Sequence, residues 1–227
     1  MKRFWTDVSV DADNAVRLDD RPVRTPARAP LALPTSALAG AVAAEWRGVA
    51  ETIDPRAMPL TGLANAAIDR VAPDPARFAA DLARYGESDL LYYRADGPRE
   101  LVERQVAAWD ALLDWARARY DVHFDVTRGV MHRAQPEATV RRLAEALASR
   151  DPFALAALSP VVTITGTLVG ALALAEGATD NDALWHAAQV DEAWQEERWG
   201  EDELATTARA DRRRDFDAAT RFLTLLR

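Results

Sequence analysis

Histidines and carboxylates are the first side chains to test for chemistry. His123, His132 and His186 stand at spacings that fit neither a helical metal pair nor a zincin pattern. His186, beside Trp185, reads as a packed or surface histidine. Asp81, Asp89, Glu192 and Glu196 would serve as a general acid/base pair if two of them met, but nothing in their spacing selects two. There is no cysteine, hence no disulfide, no thiolate nucleophile and no thiolate-bound metal. No phosphate-cradling Walker loop, no dinucleotide glycine fingerprint after a strand and no G-x-S-x-G elbow is present. These residues predict no catalytic group, no metal and no cofactor.

What remains is aromatic and acidic. In the stretch Asp191–Gly200, set on a helix from Asp182 to Trp199, the residues Trp185, Ala188, Glu192, Gln195 and Trp199 fall on one stripe. Ala187, Val190 and Trp194 fall nearly opposite, so the helix is expected between neighbours rather than on the surface. Gly200 suits the left-handed residue just past the helix end. Glu192 is then a carboxylate between two tryptophans, and a desolvated charge needs a partner. That partner is either one of the chain's arginines or a group on another protein. The runner-up reading makes Glu192 an acid/base carboxylate of raised pKa in an interhelical cleft of a small-molecule enzyme. Seven tryptophans is a heavy load, and Trp46 after Glu45, Trp109 before Asp110 and Trp199 after Arg198 have the composition of interface anchors. The alternative for each is a core tryptophan whose N–H is satisfied.

Composition narrows the classes. A chain of 227 residues, 49% hydrophobic, has enough apolar surface for a real core and one or two domains. A net charge of −8 opposes general nucleic-acid binding and docking on an anionic membrane. Lys2 is the only lysine among 28 basic residues, and the arginines suit forked pairing with carboxylates. The first residues have no apolar signal core and no import-sequence composition, so a cytoplasmic bacterial location is expected. The uncharged run Pro152–Ala175 is broken by Pro160, and a helix from Pro160 to Glu176 would be about 25 Å long at ~1.5 Å per residue, short of the ~30 Å of a bilayer core. Gly166 and Gly170 match a membrane packing pattern that equally lets buried helices approach closely.

These residues need elements to hold them. Alternation predicts a strand over Phe4–Val10, a second over Ala15–Leu18 and a short third over Arg21–Thr25, which Pro22 confines to an edge. Thr35 or Ser36 caps a helix with Leu38, Val42, Trp46 and Val49 on its apolar stripe. A second helix, after Ile53–Pro55, carries Leu60, Leu63, Ala64, Ala67, Ile68 and Val71, with Asn65 and Asp69 on its polar side; Asp74-Pro75 opens a third. Asp89–Arg94 is a short strand or an extended segment. A long helix from Pro98 carries Leu101, Gln105, Trp109, Leu112 and Ala116, and Val122–Val126 is a brief strand. Helices follow from Pro136 and Pro152. The last helix, from about Glu201, is expected to bury Leu204, Ala208, Phe216, Ala219, Leu223 and Leu226, with Arg212–Arg214 on a solvated face. The fold class is α+β: a small antiparallel β-containing head, residues 1–72, and a larger orthogonal helical body, residues 73–227.

Several stretches, taken in order, resemble the assembly chaperones for the alpha subunit of the ATP synthase catalytic head. They are Phe4-Trp5, Arg21–Pro26, Leu33–Thr35, Glu45-Trp46, Met58–Thr61, Ala64-Asn65 with Ile68-Asp69, Asp89–Arg94, Trp109-Asp110 with Trp115, and Glu192, Gln195 and Trp199-Gly200. Each is weak alone; the ordered set spans nearly the whole chain. Ala111 departs from the proline the family often has after Trp-Asp. The resemblance implies a non-enzymatic, cofactor-free chaperone that holds the free alpha subunit until it meets the beta subunit, itself monomeric when free. It also implies a two-part fold. The family's C-terminal Glu and Trp-Gly correspond to Glu192, Trp199 and Gly200, and its Glu-Trp pair to Glu45 and Trp46. With the carboxylate set between tryptophans, partner binding is expected on Glu192, Gln195, Glu196, Trp199 and Gly200, and domain-interface or structural roles for Glu45, Trp46, Asn65, Asp69 and Trp109.

Overall fold

In the computed structural model, which describes residues 2–129, 131–200 and 202–227, the N-terminal alternation produces a meander shorter than its pattern. Strands β1 (Val8–Val10), β2 (Val16–Leu18) and β3 (Arg21–Pro22) form an antiparallel sheet in that order, with Val8 opposite Leu18 and Val10 opposite Val16. Pro22 lies on the edge strand, where its missing N–H costs no ladder bond. The stretch before β1 is not a strand; Phe4 is exposed and only Trp5 turns inward. The Asp11 carboxylate closes the first turn, accepting from the Asp13 and Ala15 amides at 3.1 and 2.9 Å.

Helix α1 (Ser36–Gly48) starts where the cap predicts: the Thr35 hydroxyl accepts from Leu38 N at 3.1 Å. α2 (Pro59–Ala66) runs into a single wide turn, Ala67–Val71, and α3 (Pro75–Ala83) follows. Next come β4 (Tyr93–Arg94) and α4 (Arg99–Tyr120). β5 (Thr127–Arg128) pairs with β4 in parallel, so Val122–Val126 is not the strand; the pairing falls at the two following residues. α5 (Glu137–Ala148) and α6 (Pro152–Thr165) complete the middle of the chain.

The apolar run departs from its expected form. Pro160 does not end α6, because the residues around it, Ala157, Leu158, Val161 and Val162, are fully buried and their packing outweighs one lost ladder bond. The break falls instead at Gly166, whose φ of 69° suits a glycine, and the Thr167 hydroxyl then caps α7 (Leu168–Ala175). Among the described residues no helix is long and apolar enough to cross a membrane. Gly170 lets α7 approach α8 (Asn181–Ala188): a Cβ there would lie 2.5 Å from Leu184 Cδ1.

The expected helix over Asp182–Trp199 is two helices, α8 and α9 (Val190–Trp199), parted at Gln189 with φ −103° and ψ 7°. The Ala187 carbonyl, which an unbroken helix would offer to residue 191, accepts the Trp109 indole N–H at 2.7 Å. The stripe from Trp185 to Trp199 is therefore not continuous, and only Trp194 of α9 is buried. In α10 (Glu203–Leu225) Phe216, Ala219 and Leu223 are buried as expected, but Leu204 and Ala208 are exposed, because the first turns of this helix bury no apolar face.

Contacts divide the chain into two compact units. One holds the chain up to Phe78 together with Arg150–Ala157 and Ala218–Arg227; the other holds Ala79–Ser149 and Leu158–Asp217. The division is not the linear one expected after residue 72. The first unit takes segments from α6 and α10, and Phe153 stacks on Phe222 within it, ring centroids 6.5 Å apart. Fold class is as read: α+β, with the antiparallel sheet near the N-terminus and a mostly helical remainder.

Candidate partner-binding site

The second unit carries the best candidate surface, and it begins with a buried glutamine. Gln105 is the one polar residue on the inner stripe of α4, and it is 1% exposed. Its Oε1 accepts from Ala95 N at 2.8 Å and its Nε2 donates to Asp191 Oδ1 at 2.7 Å, so it ties the segment after β4 to the first turn of α9. Arg94 is buried beside it, stacks on the Trp109 ring at 4.8 Å and donates to Asp110 Oδ1 at 2.5 Å. Burial pulls its pKa down, and the Asp110 carboxylate opposes that shift.

Above this polar floor lies an open groove of about 400 Å³, walled by residues 93–98, Leu101 and Gln105 on one side and Asp191, Trp194, Gln195 and Trp199 of α9 on the other. A second groove, about 270 Å³, lies between α9 and the start of α10, lined by Glu192, Gln195, Glu196, Trp199 and Gly200 with Arg209 and Arg212. Gln195 and Trp199 line both grooves. Trp199 is the ridge between them and is 78% exposed. An indole so displayed is a large apolar surface held out to solvent on the last turn of a helix.

Glu192 is not the stranded carboxylate of the sequence reading. Its side chain is 48% exposed and lies 3.6 Å from the Arg212 guanidinium of α10. The internal arginine is thus the partner, and the carboxylate is half exposed rather than enclosed in an interhelical cleft. The physical reason is the break at Gln189, which turns Trp194 inward and leaves Glu192 and Trp199 facing solvent. Glu196 is paired with Arg209. Gly200 ends α9 with φ 87° and ψ 167°, an extended conformation open to glycine rather than the left-handed cap, and its N–H donates to Glu196 O at 2.9 Å.

The remaining expected residues sit elsewhere. Glu45, Trp46, Asn65 and Asp69 lie in the first unit. The Glu45 carboxylate accepts from Leu60 N, Thr61 N and Thr61 Oγ1 at 2.8, 2.8 and 2.7 Å, capping α2. Trp46 meets Trp5 edge-on at 5.4 Å, and neither indole N–H has an acceptor among the described residues, unlike that of Trp109. Asp69 accepts from Thr25 Oγ1 at 2.6 Å and Ala27 N at 2.9 Å, and Asn65 is half-buried on α2.

Of the acid/base candidates, Glu192 and Glu196 line one groove, each beside an arginine, while Asp81 and Asp89 lie elsewhere. Asp81 is exposed on α3. Asp89 is fully buried, where its carboxylate accepts from Leu91 N at 3.0 Å and from Val169 N at 2.9 Å, at the start of α7. Burial pushes its pKa up to about 6 against these stabilising bonds. Among the described residues no group of His, Asp and Glu is placed to hold a metal.

Sequence reasoning missed Asp96, Asp191 and Gln105 as groove formers. The only available signal was Gln105 interrupting the apolar stripe Leu101, Trp109, Leu112.

A family model described as the ATP12 chaperone protein matches residues 2–117. The crystal structure of Atp12 from Paracoccus denitrificans is 44% identical and superposes with a TM-score of 0.94, over 100% of this chain and 98% of that one. A single-substitution variant of that protein has 44% identity and a TM-score of 0.95. A candidate chaperone from Agrobacterium tumefaciens is 42% identical with a TM-score of 0.94, over 100% of this chain and 86% of that one.

Proposed function

The chain belongs to the ATP12 chaperone family, and from that premise we propose that it binds the free alpha subunit of the F-type ATP synthase catalytic head and keeps it from aggregating until the beta subunit arrives. A ring subunit that lacks its neighbour exposes apolar surface, and such surface aggregates. A holder for it needs a displayed apolar anchor with polar selectivity around it, and a contact modest enough for the true neighbour to displace. The observation that carries the reading is Trp199, exposed between two open grooves at the end of α9. In this reading Glu192, Gln195, Glu196, Trp199 and Gly200 form the partner surface. Glu45, Trp46, Asn65, Asp69 and Trp109 serve the fold that presents it.

The test is capture of the purified alpha subunit by the full chain and by Trp199→Ala, with light scattering of the alpha subunit as the second readout. Truncating a central aromatic anchor costs about 2 kcal/mol or more, roughly thirtyfold in Kd. Trp199→Ala is therefore expected to melt like the parent and to lose both capture and protection. Undiminished capture by the folded variant would overturn the site. A parent chain that neither captures nor protects the alpha subunit would overturn the client.

A further inference from the structure

The two grooves that meet at Trp199 differ in charge. In the groove between α9 and α10, Glu192 and Glu196 are neutralised by Arg212 and Arg209, and Asp202 accepts from Ala205 N at 2.9 Å as a helix cap. In the groove between α4 and α9, Asp96 and Asp191 have no cation at ion-pair distance among the described residues, although the buried Arg94 acts on Asp191 from behind. Arg94, Arg104 and Arg198, on β4, α4 and α9 beside this groove, are already engaged. Arg94 is held by Asp110. Arg104 pairs with Glu197 at 2.7 Å and lies over Trp194 at 4.9 Å; Arg198 pairs with Glu100 at 2.8 Å and lies over Trp194 at 4.4 Å. Trp199, by contrast, makes no ring or cation contact among the described residues and is 78% exposed.

Two carboxylates in the groove, Asp96 and Asp191, an apolar wall at Leu101 and an unoccupied indole at the rim describe a receptor for one kind of side chain. We propose that this groove receives an arginine from an extended segment of the client, its guanidinium between Asp96 and Asp191, its methylene stem along Leu101 and the neighbouring apolar residue on Trp199. The planar fork of arginine satisfies two carboxylates at once, which the compact ammonium of lysine does less well. A net charge of −8 favours the approach of a basic segment. The inference deepens the partner surface argued above and rests on it.

Two arms separate the inference from that reading. In the first, the full chain is titrated with the peptides acetyl-Leu-Arg-Leu-amide and acetyl-Leu-Gln-Leu-amide, while NMR follows the Trp199 indole N–H and the Gln105 side-chain amide. The arginine peptide is expected to bind roughly three- to tenfold more tightly than its glutamine analogue, with both signals moving. Asp191→Asn should abolish that preference while keeping an oxygen for the Gln105 amide to donate to; Asp96→Asn should reduce it independently. Equal binding of the two peptides, or a preference unaffected by both variants, would overturn the arginine receptor. In the second arm the alpha subunit is captured at rising salt. Asp191→Asn should weaken capture at low salt and flatten its salt dependence, while Trp199→Ala weakens it at every salt. Loss of capture only in Trp199→Ala, with no peptide preference, would leave the partner surface standing and remove the arginine. A peptide preference with Trp199→Ala capturing normally would remove the partner surface, and with it the client as the source of the arginine.

Discussion

Replacing Glu45 probes how the first unit is held together, and the cost can be worked from the contacts. α2 begins with Met58 as its N-cap residue, whose side chain makes no capping bond, and Pro59 contributes no N–H. Gly62 N reaches Met58 O at 3.0 Å. That leaves the amides of Leu60 and Thr61, which sit on residues 1% and 6% exposed, and the Glu45 carboxylate takes both at 2.8 Å. It also takes the Thr61 hydroxyl at 2.7 Å. A cap supplied by a neighbouring helix adds the attraction of a negative charge for a helix N-terminus. Glu45→Ala strands two buried donors at about 1–3 kcal/mol each, softened where water enters, so a net loss of roughly 2–4 kcal/mol is expected. Glu45→Gln retains one acceptor oxygen but turns an NH2 toward a donor, so a loss of about 1–2 kcal/mol is expected. For a chain this size each kcal/mol lowers Tm by about 2–4 °C, which places the alanine variant roughly 4–16 °C below the parent. Urea unfolding followed by far-UV circular dichroism gives the free energies. An alanine variant within 1 kcal/mol of the parent, or a glutamine variant indistinguishable from it, would refute the capping argument.

Asp89 should make stability run against the usual acid trend. Its pKa is 3.8 when unfolded and about 6 when folded. Between those values the folded state binds the extra proton, so its contribution is full below pH 3.8 and is lost as pH rises through about 6, a swing of roughly 3 kcal/mol. The urea-derived stability of the parent relative to Asp89→Asn should fall by that amount from pH 4 to 7; a gap that widens with pH would mean the buried carboxylate stays ionised. Two helix glycines should answer alanine oppositely. At Gly40, inside α1, a Cβ meets nothing within 4 Å, so Gly40→Ala should raise stability by about 0.5–1 kcal/mol. At Gly170 a Cβ would sit 2.5 Å from Leu184 Cδ1 and 2.8 Å from Thr167 Cγ2, so Gly170→Ala should lower stability by about 1–3 kcal/mol despite better helix propensity. Matching shifts in the two melting curves would contradict the packing argument.

Much of this protein is written locally. Alternation over Val8–Leu18, a threonine before α1 and a proline at the start of α6 are interactions within a few residues, so they appear where the sequence puts them. The order of motifs from Phe4 to Gly200 was likewise enough to identify the family. The missing cysteine and the negative charge needed no structure to narrow the chemistry.

Tertiary contacts decided the rest. Nothing near residue 187 announces that its carbonyl will accept the Trp109 indole, 78 residues away in sequence, yet that bond accompanies the break between α8 and α9. With the helix broken only the Trp194 face of α9 is buried, not both faces as expected, so Glu192 met Arg212 and Trp199 was left in solvent. The same holds for Glu45, which reads as an anonymous acid before a tryptophan until α2 begins beside it. Periodicity tells a helix which side is apolar only while the helix is unbroken. Where it stops, and which buried group waits there for a hydrogen bond, depends on residues distant in the chain. The acidic groove beside Trp199 therefore exists only in the folded molecule.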